Sequence, residues 1–169
     1  LDNNFVGKQK PYDHCITVYG SQGISYADKD VVSQNTELID NWKVIASKAS
    51  AQGGRADKDG KRKVIPKIEV LTPNVVCTES YLLLSSFSNE DSANNLCKYV
   101  KSKFFRFLLS LKVITQNISK DCFRFVPLQD FTSKSDIDWS RRIGEIDAQL
   151  YEKYGLERDE IDFIERMIK

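Results

Sequence analysis

The stretch from Lys98 to Phe131, KYVKSKFFRFLLSLKVITQNISKDCFRFVPLQDF, limits the fold more than any other part of this chain. Starting just upstream, Leu96, Tyr99 and Val100, then Phe104, Phe107, Leu108 and Leu111, recur three and four residues apart, the spacing of an amphipathic helix. Lys98, Lys101, Lys103, Arg106, Lys112, Lys120 and Arg124 punctuate the same segment, and only Asp121 opposes them before Asp130. Such a helix must bury its apolar face against a core and carries its cations on the other side. A cationic face over a solid core suits a polyanion, nucleic acid first. The plain alternative is a solvated charged surface.

The chain has 169 residues, 41% of them hydrophobic, which is enough for one domain with a real core. Its net charge of +1 hides an uneven distribution. Lys43, Lys48, Arg55, Lys58, Lys61, Arg62, Lys63 and Lys67 face only Asp57 and Asp59 within their stretch, whereas acidic residues outnumber basic ones from Gln129 to Lys169. One basic surface and one acidic flank are therefore expected.

The local patterns place strands first and helices after them, which predicts an α+β fold with a small mixed or antiparallel sheet in the first half and helices in the second. Cys15–Tyr19 is a β-rich run closed by the turn signal Gly20-Ser21-Gln22-Gly23. Trp42–Ala46 reads as a strand, Ser47–Gly60 as a loop or hairpin tip, and Val64–Leu71, interrupted by Pro66, as at best an edge strand or a bulged one. Val75–Cys77 and Ser80–Phe87 follow, the second expected to be central. Ser88 with Asp91 suggests a helix start. Helices are predicted over Asn89–Lys101 and, after a break at Ser102, over Lys103–Thr115. Asp121–Val126 reads as extended. A third helix, capped by Asp138 or Ser140, should run to Tyr154 and stop at Gly155, and a fourth should cover Asp159–Ile168.

Catalytic patterns are hard to find. His14 is the one histidine, and its neighbour Cys15 would point to the opposite face of a strand. Cys15, Cys77, Cys97 and Cys122 are too far apart in sequence for a CxxC zinc site, and reduced, mostly buried thiols are expected. Gly53-Gly54 lacks the context of a phosphate loop. No Glu-x-Lys occurs, and the sole Asp-x-Lys, Asp59-Gly60-Lys61, reads as a turn. No apolar run nears the ~20 residues of a membrane helix and no signal peptide is evident. A cytoplasmic binding module without a metal or membrane partner is expected. The chain opens on Leu1 rather than methionine, which fits a segment of a larger protein.

The candidate polyanion contacts are Lys43, Lys48, Arg55, Lys61, Arg62, Lys63 and Lys67 in the first basic stretch, and Arg106, Lys112 and Gln116 in the second. Glycine lets backbone approach closely, lysine and arginine displace counterions, and Gln and Arg pair bidentately with adenine and guanine. Ser47, Ser50 and Gln52 offer further hydrogen bonds. Phe104, Phe105, Phe107, Phe123 and Phe125 suit a core better than a base-stacking platform.

WKVIASKA (Trp42–Ala49), VCTESYLLLSSF (Val76–Phe87), the Lys98–Phe131 stretch and IDAQLYEKYGLERDEIDFIERMI (Ile146–Ile168) follow one another in an order that resembles bacterial restriction-modification methyltransferases specific for adenine, in the TaqI-like specificity domain behind the methylase domain. The resemblance spans roughly residues 38–169 and is most specific at Phe104-Phe105-Arg106 and Phe125–Phe131. It implies a target-recognition domain over 1–131, a helical extension over 132–169, and duplex DNA and the methylase domain of the same parent chain as partners. The Asn-Pro-Pro-Tyr motif and the glycine-rich loop for S-adenosylmethionine do not occur here. The resemblance thus implies a segment without cofactor or catalysis of its own, in a parent enzyme that uses S-adenosylmethionine. It places target specificity in the Gln52–Lys63 insertion. Two other readings remain open: a protein-interaction module docking on a methylase or nuclease subunit, and a single-stranded nucleic-acid binder.

Overall fold

A computed structural model describes residues 1–50, 55–113 and 117–169. The fold is α+β, with two three-stranded sheets followed by helices. Strands β1 (Ile16–Gly20), β2 (Gly23–Ala27) and β5 (Val75–Cys77) form a mixed sheet in the order β2-β1-β5. The predicted Gly20–Gly23 turn closes its β1–β2 hairpin, where Gly23 adopts a positive φ. Strands β3 (Trp42–Ser47), β4 (Ile68–Leu71) and β6 (Tyr81–Phe87) form an antiparallel sheet in the order β4-β3-β6.

β3, not β6, is the central strand. Its WKVIAS core is buried on both faces, whereas the serines of β6 sit half-buried at the sheet's margin. Val44 and Ala46 face the helices with Ile68, Leu82 and Leu84. Ile45 faces the other way, with Leu71 and Tyr81, toward Tyr19, Val75 and Cys77 of the first sheet. The second sheet therefore lies between the first sheet and the helices, as strand alternation requires.

Helix α1 (Glu90–Lys101) buries Ala93, Leu96, Cys97, Tyr99 and Val100. Its cap is Asn89 rather than Ser88: the Asn89 side chain accepts the Ser92 amide at 2.9 Å and leaves Glu90 and Asp91 in the first turn, where the helix dipole favours acids. The chain breaks at Ser102, which caps α2 (Lys103–Ser110). The break resets the helical phase, so α2 buries Phe104, Phe105 and Leu109 instead of continuing the expected stripe to Leu111, which is exposed. Lys120–Phe125 is a 3-10 helix, not extended. At three residues per turn, Phe123 and Phe125 cannot share a face, and Phe125 turns outward.

Helix α3 (Ile143–Lys153) begins after Arg142, whose amide is accepted by Glu145. Asp138 instead holds the preceding turn, accepting the Ser140 amide and the Arg141 guanidinium. Gly155, at φ +63°, ends the helix as predicted, with its amide bonded to Glu152 and that of Leu156 to Tyr151. Helix α4 (Arg158–Met167) follows. Residues 132–169 supply Ile137, Trp139, Ile146, Leu150, Tyr151, Ile164 and Ile168 to the same core as the second sheet. No described helix is long and apolar enough to cross a membrane. Cys97 and Cys122 are buried, Cys15 and Cys77 half-buried, and all four are free.

Candidate nucleic-acid interface

The first basic stretch leaves β3 and returns along β4. Lys43 belongs to the protein's own packing: it is buried, and its ammonium donates to the carbonyls of Leu38 (2.9 Å), Ile39 (2.9 Å) and Asn41 (2.6 Å). Burial holds its pKa below the ordinary lysine value, against the opposing pull of Asp40. On a strand with one face toward the first sheet, Lys43 shares Ile45's side, which the sequence could not reveal. Lys43→Met is expected to destabilise the fold by about 2 kcal/mol, because charge-assisted bonds to carbonyls are lost while two of those carbonyls keep amide donors. Urea titration measures the loss, and nucleic-acid affinity of the folded variant should not change.

Lys48 is half-buried. Its amide donates to Ser80 and its carbonyl accepts the Ile118 amide at 2.7 Å, beside a bridge between Ala49 and Asn117. This joins the first basic stretch to the end of the second. Gln52 and Gln116 lie outside the described residues. Arg55 and Lys58 are exposed and lead into a tight turn. There the Asp57 carboxylate accepts the Asp59 and Lys61 amides, Gly60 takes φ +75°, and the predicted tip is formed. Asp57 also pairs with the Lys169 ammonium, which holds its carboxyl below the usual range.

A second junction follows at once. The Arg62 amide donates to Met167 (2.8 Å) and its carbonyl accepts from Lys169 (3.2 Å), a short parallel bridge to Ile168. Arg106, on α2, donates its guanidinium to the main-chain oxygen of Lys169 at 2.8 Å. Arg62 and Arg106, one from each basic stretch, therefore both bond to the main chain of Lys169. Each keeps a buried Nε without a hydrogen-bond partner. Burial also draws the Arg106 pKa below its ordinary value.

The rest of the cationic helix face is largely claimed by the acidic flank. Lys98 donates to the Trp139 carbonyl at 2.6 Å, and Lys103 pairs with Glu165. The helices are thus not backed by solvent, as an isolated amphipathic pattern suggests, but by residues 139–169. Lys63, Lys112, Lys120 and Arg124 remain exposed and Lys61 half-buried. Lys67 is exposed, with its ammonium 4.8 Å from the centre of the Tyr19 ring. Lys112 lies 4.7 Å over the ring of Phe125, which is 53% exposed. Phe104 and Phe105 are core, while Phe107 and Phe123 are half-buried against it. Phe125 departs from the packing role expected of the five; the two-residue spacing in Phe123-Arg124-Phe125 was the available signal.

His14 lies in a left-handed turn (φ +63°) before β1, and Cys15 Sγ accepts the Tyr12 amide. No family model, curated protein or solved structure matches this chain, so its geometry stands alone.

Proposed function

We propose that this chain is a duplex-DNA target-recognition module, without catalysis of its own, serving an adenine-specific methyltransferase of a restriction-modification system. Its partners on this reading are duplex DNA and the methylase domain of the same parent protein, which would bind S-adenosylmethionine. The observation that carries the reading is the double junction of the two basic stretches, at Lys48–Ala49 with Asn117–Ile118 and, through Lys169, between Arg62 and Arg106. It ties two cation-rich segments, far apart in sequence, to each other. Arg55, Lys63, Lys67 and Lys112 project to solvent from them, and phosphate contacts by such side chains supply most sequence-independent affinity.

The test is anisotropy of a fluorescent duplex across a salt series. The triple variant Arg55→Ala, Lys63→Ala, Lys112→Ala is expected to bind the duplex at least about tenfold more weakly, with the slope of log K against log salt reduced by about 0.9 per lost contact. Unchanged affinity and slope would sink the reading. The exposed Phe125 under Lys112 favours a second one, binding of unpaired bases. A preference for single strands, lost on Phe125→Ala with the fold intact, would decide for it. An Asn-Pro-Pro-Tyr motif in the same polypeptide upstream of Leu1 is expected if the methylase assignment holds.

A further inference from the structure

The second sheet ends on β6, and among the described residues the outer edge of this strand makes no backbone hydrogen bond beyond that of the Tyr81 amide, which donates to Thr78 at the strand's start. Exposed edges are usually blunted by charge or proline, and YLLLSSF contains neither. Its one irregularity is a register shift opposite Val44 and Ile45, on the paired side. Leu82 and Leu83 point to opposite faces of the strand, yet both line a single groove of about 450 Å³, together with Leu84. A groove reached from both faces runs along the edge of the strand.

The far wall of this groove is the segment through Phe123, Pro127 and Leu128. It is held in place by the Tyr99 hydroxyl, which donates to the Pro127 carbonyl at 2.7 Å. Leu128 is 90% exposed and Leu83 38% exposed, so apolar surface stands in water both on the strand and on the segment that shares its groove. Among the described residues, the only charged one on the lining is Lys120.

We propose that this groove receives an extended peptide segment from a partner protein, which adds a strand to the free edge of β6. The segment alternates apolar with acidic residues: the apolar ones cover Leu83 and Leu128, and a carboxylate meets Lys120. Main-chain hydrogen bonds supply affinity in such strand addition, and side-chain pockets supply selectivity. Charge decides against a second copy of this chain as the occupant. Tyr81–Phe87 carries no carboxylate, so β6 pairing with β6 would bring Lys120 no counter-charge. Lys112 and Arg124 are exposed nearby in sequence, against Asp121, which adds to the preference for an acidic strand.

The test uses the whole chain and two capped peptides of about eight residues, one alternating valine with glutamate, the other valine with lysine. The expected result is binding of the glutamate peptide about tenfold or more tighter than its lysine counterpart, with slowed hydrogen exchange at amides within β6. Lys120→Glu, at an exposed position, should invert the preference. Leu128→Asp, also exposed, should weaken binding about tenfold. Both variants should keep the wild-type melting transition. Failure of the glutamate peptide to bind overturns the proposal, as does binding that leaves β6 exchange unchanged. Protection of β6 that grows with protein concentration in the absence of peptide assigns the edge to a second copy and equally overturns it.

Discussion

Trp139→Ala is expected to lower stability by about 4 kcal/mol, the range for deleting a large buried aromatic, and to lower the melting midpoint by roughly 10 °C in a chain of this size. Trp139 is almost fully buried, with its ring 5.4 Å from Phe131 and 6.0 Å from Tyr99 between centres. Its indole N–H donates to the Asp130 carbonyl at 2.9 Å and to Ser135 Oγ at 3.0 Å. Trp139 belongs to the acidic C-terminal part, while the rings against it belong to the part before residue 132. Its loss therefore opens a cavity at the seam. Because both parts share one core, sheet and helices should melt together. The variant leaves Trp42 as the sole tryptophan, so its fluorescence reports β3 while far-UV circular dichroism reports the helices. Two separated transitions would refute the shared core.

Asp147→Ala is expected to cost about 3 kcal/mol at pH 5, because two amides, one buried and one half-buried, lose their acceptor at once. Asp147 sits on α3 and caps α2 from outside: its carboxyl oxygens accept the Lys103 amide at 3.1 Å and the Phe104 amide at 2.9 Å, while Ser102 Oγ accepts that of Phe105 at 3.1 Å. The first three amides of α2 are thus satisfied, two of them by a residue more than forty positions away. Burial pushes the Asp147 carboxyl up to about 6, and Glu165 adds to the rise. The two amide donors and Lys103 oppose it.

The sign of the pH dependence follows. Between the ordinary aspartate value near 3.8 and about 6, the unfolded chain has released this proton while the folded chain still holds it. Stability from this group therefore falls as pH rises through that window, by about 3 kcal/mol in all, and is flat above it. The gap between wild type and Asp147→Ala should accordingly narrow from pH 5 to pH 8. Asp147→Asn, which cannot ionise, should remove this contribution from the profile. Urea titrations at several pH values check both. An unchanged profile in Asp147→Asn would show that another group carries the slope.

Most element types were legible because each rests on neighbours in sequence. The Gly20–Gly23 turn, the Gly155 stop, the Ser102 break and the Asp59-Gly60 tip all follow from local backbone preferences. The errors also have local causes. Ser88 and Asn89 compete for one cap, and a short aromatic run, Cys122–Phe125, is read as extended when two-residue alternation and a single 3-10 turn look alike over so few positions. Strand order was not legible: nothing in Tyr81–Phe87 distinguishes a central strand from an edge, because pairing partners lie tens of residues away. Of the candidate contacts, Arg55, Lys63, Lys67 and Lys112 are solvent-exposed, whereas Lys43 is folded inward.

By itself, then, the order of residues determined the α+β class, the spacing of most elements and the existence of two cation-rich stretches, since these depend on side-chain periodicity and on φ preferences within a few positions. Only the tertiary structure decided which cations stay in water. Lys43, Lys98, Lys103 and Arg106 are claimed by carbonyls or carboxylates of the chain itself, all but Lys43 by residues more than forty positions away. A charge's availability depends on what packs over it, and that is fixed by long-range burial that no local pattern encodes.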